Sequence, residues 1–378
     1  MVPLRQHTNA FDLIRLVAAG LVLWSHQHAL MGMREPFVAV LGASYGGLGL
    51  YIFFALSGYL NTGSLAQHRS MQVYLFNRAL RIYPALAACV VFTVILGFFV
   101  ATDRDAYVSV KLLSYIAKNV TLFSGVKMGV PGVFESNAFP QALNGSFWTL
   151  PYEVKMYVVL AVALAVARYN LALPIIALVG GCVIVLLGTA GLLPVLPRND
   201  FWVIFSVLFL AGSAVAAAKS FVGLSVAIGA LAAIALAFAG VGEQLLAWLL
   251  LLTAIVIAVG SITLPKRLRL PLDLSYGLYL YAFPIQQLSA TLFTDFWPAL
   301  AFSAVITFAL ALASALFIER YALRLKNRVS IPSFAKKSVR QAATAGAVPM
   351  KISYDAASPG DSAQILPALN NPYGGDVP

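Results

Sequence analysis

Arg15 and His26 stand eleven residues apart in an apolar run that begins near Phe11. At about 100° and about 1.5 Å per residue, a helix returns the pair to within roughly 20° of one face, separated by roughly 16 Å along its axis. One end of that face carries a fixed cation, suited to phosphate because arginine binds it bidentately. The other end carries an imidazole, the commonest side chain for moving a proton to or from a hydroxyl. Asp12, three residues before Arg15, lies on a neighbouring face where it can orient the guanidinium. His28 is turned by about 200° from His26 and is expected outside any site the two share. The bland readings are a snorkelling Arg15 and a satisfied structural His26. Against them, a charge at the centre of a membrane span costs about 2.5–3.5 kcal/mol on insertion scales, so each one needs a reason.

Two further groups join this pair. Arg78 and Arg81, in the stretch Arg78-Ala-Leu-Arg81-Ile-Tyr-Pro84, are three residues apart and can face one anion. With Arg15 they would make a cationic mouth, although an ordinary positive anchor beside a span needs no function. Trp148-Thr149-Leu150-Pro151-Tyr152-Glu153 opens another apolar run, with Pro151 suited to a helix's first turn. If that run starts at the outer surface, Glu153 shares the depth of His26 and can hold its tautomer and raise its basicity. Lys155 is expected to snorkel outward, and Trp148 and Tyr152 also fit an interfacial aromatic belt. Leu56-Ser57-Gly58-Tyr59 and Leu274-Ser275-Tyr276-Gly277 read as small-residue sites for close helix approach.

The elements that must position these groups are membrane helices. Of 378 residues, 61% are hydrophobic and 10% charged, against about 25% charged in an ordinary soluble domain. So few charges cannot cover a water-soluble surface of this size. The net charge of +11 is scattered between apolar runs rather than clustered, which argues against nucleic-acid binding and fits positive cytoplasmic loops. A span needs about 20 mostly apolar residues. Segments near 11–31, 45–64, 80–100, 147–167, 172–192, 201–218, 220–240, 244–262, 272–292 and 297–318 meet this. The fold class expected is therefore all-α integral membrane, a bundle of about ten transmembrane helices. The bias of Arg and Lys toward alternate connections places both termini in the cytoplasm. The first span retains Asp12, Arg15 and His26, unlike a removable leader. Cys89 and Cys182 fall within apolar runs as packing residues, and no metal-ligand motif is evident.

The 101–146 connection, rich in Gly, Pro, Asn and Ser, is long enough for a lid or a short re-entrant element. Its two sequon matches, at Asn119 and Asn144, are read as chance. Residues 1–328 form the membrane domain on this reading, and 329–378 a disordered cytoplasmic tail.

The ordered set of Arg15 and His26, Gly49-Leu-Tyr-Ile-Phe-Phe-Ala-Leu-Ser-Gly-Tyr-Leu60, the Arg78/Arg81 pair, the Trp148–Glu153 segment and Leu274-Ser-Tyr-Gly-Leu-Tyr-Leu-Tyr-Ala-Phe-Pro284 resembles the acyltransferase family 3 integral membrane O-acyltransferases over residues 8–325. The resemblance implies transfer of an acyl group, commonly acetyl, from cytoplasmic acyl-CoA to a hydroxyl of a carbohydrate beyond a bacterial cytoplasmic (inner) membrane. It implies that Arg15 and His26 are the essential pair and that Arg78 and Arg81 help to hold the donor. Many relatives carry a histidine where this chain has Ala282, which loads more of the chemistry onto His26.

The expected site is thus His26, Glu153 and Arg15 for catalysis and Arg15, Arg78 and Arg81 for the donor, with no tightly bound cofactor and no metal. His26 would deprotonate the acceptor or carry the acyl group transiently. Expected partners are acyl-CoA, a carbohydrate acceptor and membrane lipid, with glycan-assembly machinery as a further one and no nucleic acid. The rival readings are a transporter or flippase for a glycan or acyl donor, which would deliver unmodified cargo, and a passive scaffold indifferent to Arg15 and His26.

Overall fold

The computed structural model describes residues 8–36, 38, 43–122, 124–192 and 200–325. Among them the protein is helical, with isolated bridges but no strand. The tail expected from 329 lies outside the described residues.

Each of the ten expected segments falls on a long helix. These are α1 (Phe11–Leu30), α2 (Tyr45–His68), α3 (Met71–Val100), α6 (Leu150–Val166), α7 (Ala172–Thr189), α8 (Phe201–Val222), α9 (Leu224–Gly240), α10 (Gln244–Gly260), α11 (Ser275–Leu292) and α12 (Phe296–Ser314). Two short helices, α4 (Arg104–Tyr107) and α5 (Val110–Thr121), lie between α3 and α6. A π-helical stretch, Ala315–Glu319, joins α12 to α13 (Arg320–Leu325). Five helical stretches are long and apolar enough to cross a membrane: Met71–Val100, Ser146–Val166, Ala172–Thr189, Phe201–Val222 and Phe296–Leu325. Helices α9 and α10 are apolar but one residue shorter than the shortest of these. Helices α1, α2 and α11 are long but less apolar, and with α3 and α6 they supply the polar groups described below.

Local sequence explains where the helices begin and how closely they meet. Ser44 and Ser70 accept from Gly47 N and Val73 N, capping α2 and α3, and Asp200 does the same for α8 through Trp202 N. Gly58 faces the backbone of Phe209, and Gly212 faces the backbone of Ala55. Any Cβ there would strike a carbonyl, so α2 and α8 cross as closely as the small-residue motif predicts. Gly49 against Ala18 and Gly277 against Ala311 bring α1 to α2 and α11 to α12 in the same way.

The 101–149 connection is the main departure from a simple row of spans. Tyr107 and Tyr115 are fully buried, their hydroxyls bonded to Val94 O at 2.7 Å and Thr93 at 3.0 Å. Asn119 closes a turn by pairing with both the N–H and the carbonyl of Lys127. The chain then runs along α11. Asn137 and Gln287 bond each other, Gln287 also donates to Phe139 O and Ala142 O, and Asn144 donates to Leu280 O at 2.9 Å. The segment thus folds back against the bundle along α11. Asn119 and Asn144, the two sequon asparagines, are buried ties within it.

Candidate active site

The centre of the site is a partly open cavity, whose roughly 780 Å³ of space not filled by protein atoms includes solvent at its mouth. It is bounded by Arg15 of α1, by Phe53, Ser57 and Asn61 of α2, and by Arg78 and Arg81 of α3. Glu153 and Tyr157 of α6 and Tyr276 and Tyr279 of α11 complete the wall. The three arginines singled out in the sequence therefore meet, although they come from two helices, α1 and α3.

They do not meet as a bare cluster of positive charge. Arg15 Nη1 lies 3.4 Å from Asp12 Oδ1 and 3.5 Å from Asp273 Oδ2. Arg81 pairs with the same Asp273 oxygen and, at 3.2 Å, with Glu319. Asp273 is itself fixed by Ser275, which donates to its Oδ1 from the backbone at 3.0 Å and from the hydroxyl at 2.6 Å. Glu319 ends the π-helical stretch, where one extra residue per turn resets which side chains face inward. Sequence reasoning missed both carboxylates, which lie 258 and 238 residues from their partners. The available signal was that buried arginines need counter-charges and that Asp273 and Glu319 flank apolar spans.

Arg78 differs from the other two. Among the described residues no carboxylate lies within ion-pair distance of it, its Nε is buried without a hydrogen-bond partner, and its guanidinium sits 5.8 Å from the Tyr74 ring centroid. The two arginines three residues apart are therefore not equivalent: one is held in ion pairs by Asp273 and Glu319, and the other, with Glu153 in the same cavity, makes no direct ion pair.

Glu153 lies in this cavity, where the Tyr157 hydroxyl donates to it, and Ser57 joins Tyr157 at 3.3 Å. No hydrogen bond links Glu153 to His26. The expectation that Glu153 orients His26 is thus not what the geometry gives, and the cause is the way the chain before α6 packs against α11. Ser146 O already accepts from the Tyr279 hydroxyl at 2.6 Å, and Thr149 bonds the same hydroxyl. Helix α6 consequently starts within the bundle rather than at its surface, and Glu153 falls at the level of the arginines.

His26 lies outside the residues that bound the cavity. Its ring meets the edge of Phe283 at 5.3 Å between centroids, and its Nδ1 is buried with no partner. Phe283 is seven residues beyond Tyr276 on α11, about 10 Å along the axis. Thr149, Tyr279 and Phe283 therefore form a layer between the arginine cavity and the imidazole. Beyond it the polar groups are neutral. Gln286 donates to Leu23 O at 2.6 Å and to Gln27 Oε1 at 3.1 Å, and Ser303 donates to the same oxygen at 2.8 Å. His28 turns away as expected, into Trp24 and Phe296, with its Nδ1 3.0 Å from Trp24 O. Lys155 lies over the Trp202 ring, and Trp148 and Tyr152 pack against Phe205.

Known proteins share this sequence pattern. A family described as an acyltransferase domain, acyltransferase family 3, matches residues 8–318. The chain belongs to that family. An O-acetyl transferase of Shigella phage Sf6 is 30% identical over 334 residues, covering 86% of this chain and 99% of that protein. Nodulation protein 10 of Rhizobium leguminosarum bv. viciae is 38% identical over 82 residues, covering 21% of this chain and 22% of its own length. No solved structure matches. The protein is an O-acetyltransferase-like enzyme, and the transporter and scaffold readings give way to that class.

Proposed function

We propose that this membrane enzyme moves an acyl group, acetyl by default, from cytoplasmic acyl-CoA to a hydroxyl of a cell-surface or exported carbohydrate. The observation that supports this most is the separation along α1. A charged cavity around Arg15, Arg78 and Arg81 lies at one end, and an imidazole with an unpartnered nitrogen lies at the other. In this reading the ten long helices cross a bacterial inner membrane, both termini are cytoplasmic, and the arginine cavity faces the cytoplasm.

Phosphate groups of the donor bind first at Arg78, which is in no direct ion pair with a carboxylate. Arg15 and Arg81, fixed by Asp12, Asp273 and Glu319, add donors and field from the cavity wall. The flexible arm of CoA then carries the thioester toward the layer formed by Thr149, Tyr279 and Phe283, which must part for the acyl group to reach His26. His26 takes the proton of the acceptor hydroxyl as its oxygen attacks the thioester carbonyl. The new ester forms, the carbon–sulfur bond breaks, and CoA leaves with its sulfur carrying the proton. Glu153 serves the donor cavity rather than the imidazole.

The test is mass spectrometry of surface glycans from cells with and without the protein. The expected result is a shift of one acyl mass, removable by mild alkali, that His26→Ala abolishes while expression and membrane insertion persist. Removal of a general base of this kind typically costs about 10²–10⁴ in rate. An active His26→Ala variant contradicts the assignment.

A further inference from the structure

Two polar atoms of opposite kind lie buried and unpartnered on residues that bound the arginine cavity. Arg78 Nε is a donor, and Asn61 Oδ1 is an acceptor. Asn61 is 2% exposed. Its Nδ2 donates to Ser57 O at 2.7 Å. A carbonyl only accepts, so that bond fixes which way the amide is turned and leaves Oδ1 as the open position. An unsatisfied buried acceptor costs about 1–3 kcal/mol, which a purely structural asparagine would have no reason to carry. Asn61 lies seven residues before the end of α2 at His68, and Arg78 lies seven after the start of α3 at Met71. The two helices are joined by a tight turn through Arg69 and Ser70, so the two residues stand at similar depth.

A ligand that satisfies both atoms must present an anion and, a few bonds away, an N–H or O–H. Coenzyme A has that order. Next to its diphosphate, the pantetheine arm carries a hydroxyl and then an amide N–H. A plain nucleotide offers an equal anion, but its O–H donors sit on the ribose and not on an arm that leads from the diphosphate toward a thioester.

We infer that Asn61 accepts a hydrogen bond from the pantetheine arm of the acyl donor, next to the phosphate bound by Arg78, and so selects an acyl-CoA over a bare nucleotide. This rests on the donor proposed above and adds a specificity-determining residue to it. Ser57 and Tyr157 continue the polar strip inward from Asn61, along the path the arm takes toward the thioester end.

The experiment is calorimetric binding to the purified full-length protein in lipid nanodiscs, with two probes: CoA, and adenosine 3′,5′-bisphosphate, which lacks the arm. The wild type is expected to bind CoA more tightly than the bisphosphate. Asn61→Ala is expected to weaken CoA binding about tenfold, the size of one buried hydrogen bond, and to leave bisphosphate binding unchanged. The retained bisphosphate affinity also shows that the variant is folded. Arg78→Gln is expected to weaken both probes. The inference is overturned if Asn61→Ala lowers both affinities equally or neither. A wild type that binds neither probe overturns the donor reading itself, a distinct outcome.

Discussion

The two ends of α1 solve the same problem in opposite ways. At the Arg15 end, buried charge is tolerated because Asp12, Asp273 and Glu319 come from three different parts of the chain to meet it, and space is left beside it. At the His26 end the polar groups are neutral amides and hydroxyls, Gln27, Gln286, Ser289 and Ser303, all fully buried and bonded to one another across α1, α11 and α12. An isolated charge in a low-dielectric interior is far more costly than an isolated amide. The arginine end therefore depends on distant acids for its stability, while the histidine end depends on hydrogen bonds between neighbouring helices. The first arrangement suits recognition of a charged ligand. The second suits holding a ring in register without giving it a charged partner.

The largest effect expected from breaking this contrast is at Asp273, a carboxylate shared by Arg15 and Arg81. Asp273→Asn leaves Arg15 and Arg81 without the charge between them and is expected to cost about 3 kcal/mol of stability. The loss would be read as a lowered midpoint of thermal unfolding in nanodiscs. A variant as stable as the wild type would mean that the arginines do not need this acid. At the other end, Gln286→Leu removes hydrogen bonds to Leu23 O and Gln27 but exposes no charge. The expected cost is about 1 kcal/mol, typical of a hydrogen bond between membrane helices. The same variant is expected to lower the transfer rate through the setting of α1 beside His26, with donor binding unchanged. If Gln286→Leu destabilises as much as Asp273→Asn, the contrast between the two ends fails.

Much of this arrangement was legible in the sequence. Apolar run length located the ten long helices among the described residues, and the cost of charge in a span picked out Arg15, His26, Arg78 and Arg81. What was not legible depends on contacts between distant segments. The acids that hold Arg15 and Arg81 could not be paired with them from spacing. The difference between Arg78 and Arg81 therefore stayed hidden, although the two are on one helix and a single turn apart. The run from 147 reads as an ordinary span, which puts Glu153 nearer the histidine than the structure does. Only the hydrogen bonds of Asn144 and Ser146 with α11 reveal that the chain has already re-entered the bundle before α6 begins. Asn61 gave no signal at all, since one asparagine in an apolar helix is usually taken for a helix that tolerates a polar residue.

A cavity that binds and an imidazole that reacts divide the labour along α1, and one paired measurement tests that division directly. CoA affinity and acyl transfer at saturating donor are measured side by side for His26→Ala and Arg78→Gln. His26→Ala is expected to keep wild-type CoA affinity and lose transfer. Arg78→Gln is expected to lose roughly ten- to a hundredfold in affinity, the range for a charge-assisted hydrogen bond, while recovering transfer once donor is in excess. If either variant loses both properties to the same degree while remaining folded, binding and chemistry are not divided between the two ends, and the account is contradicted.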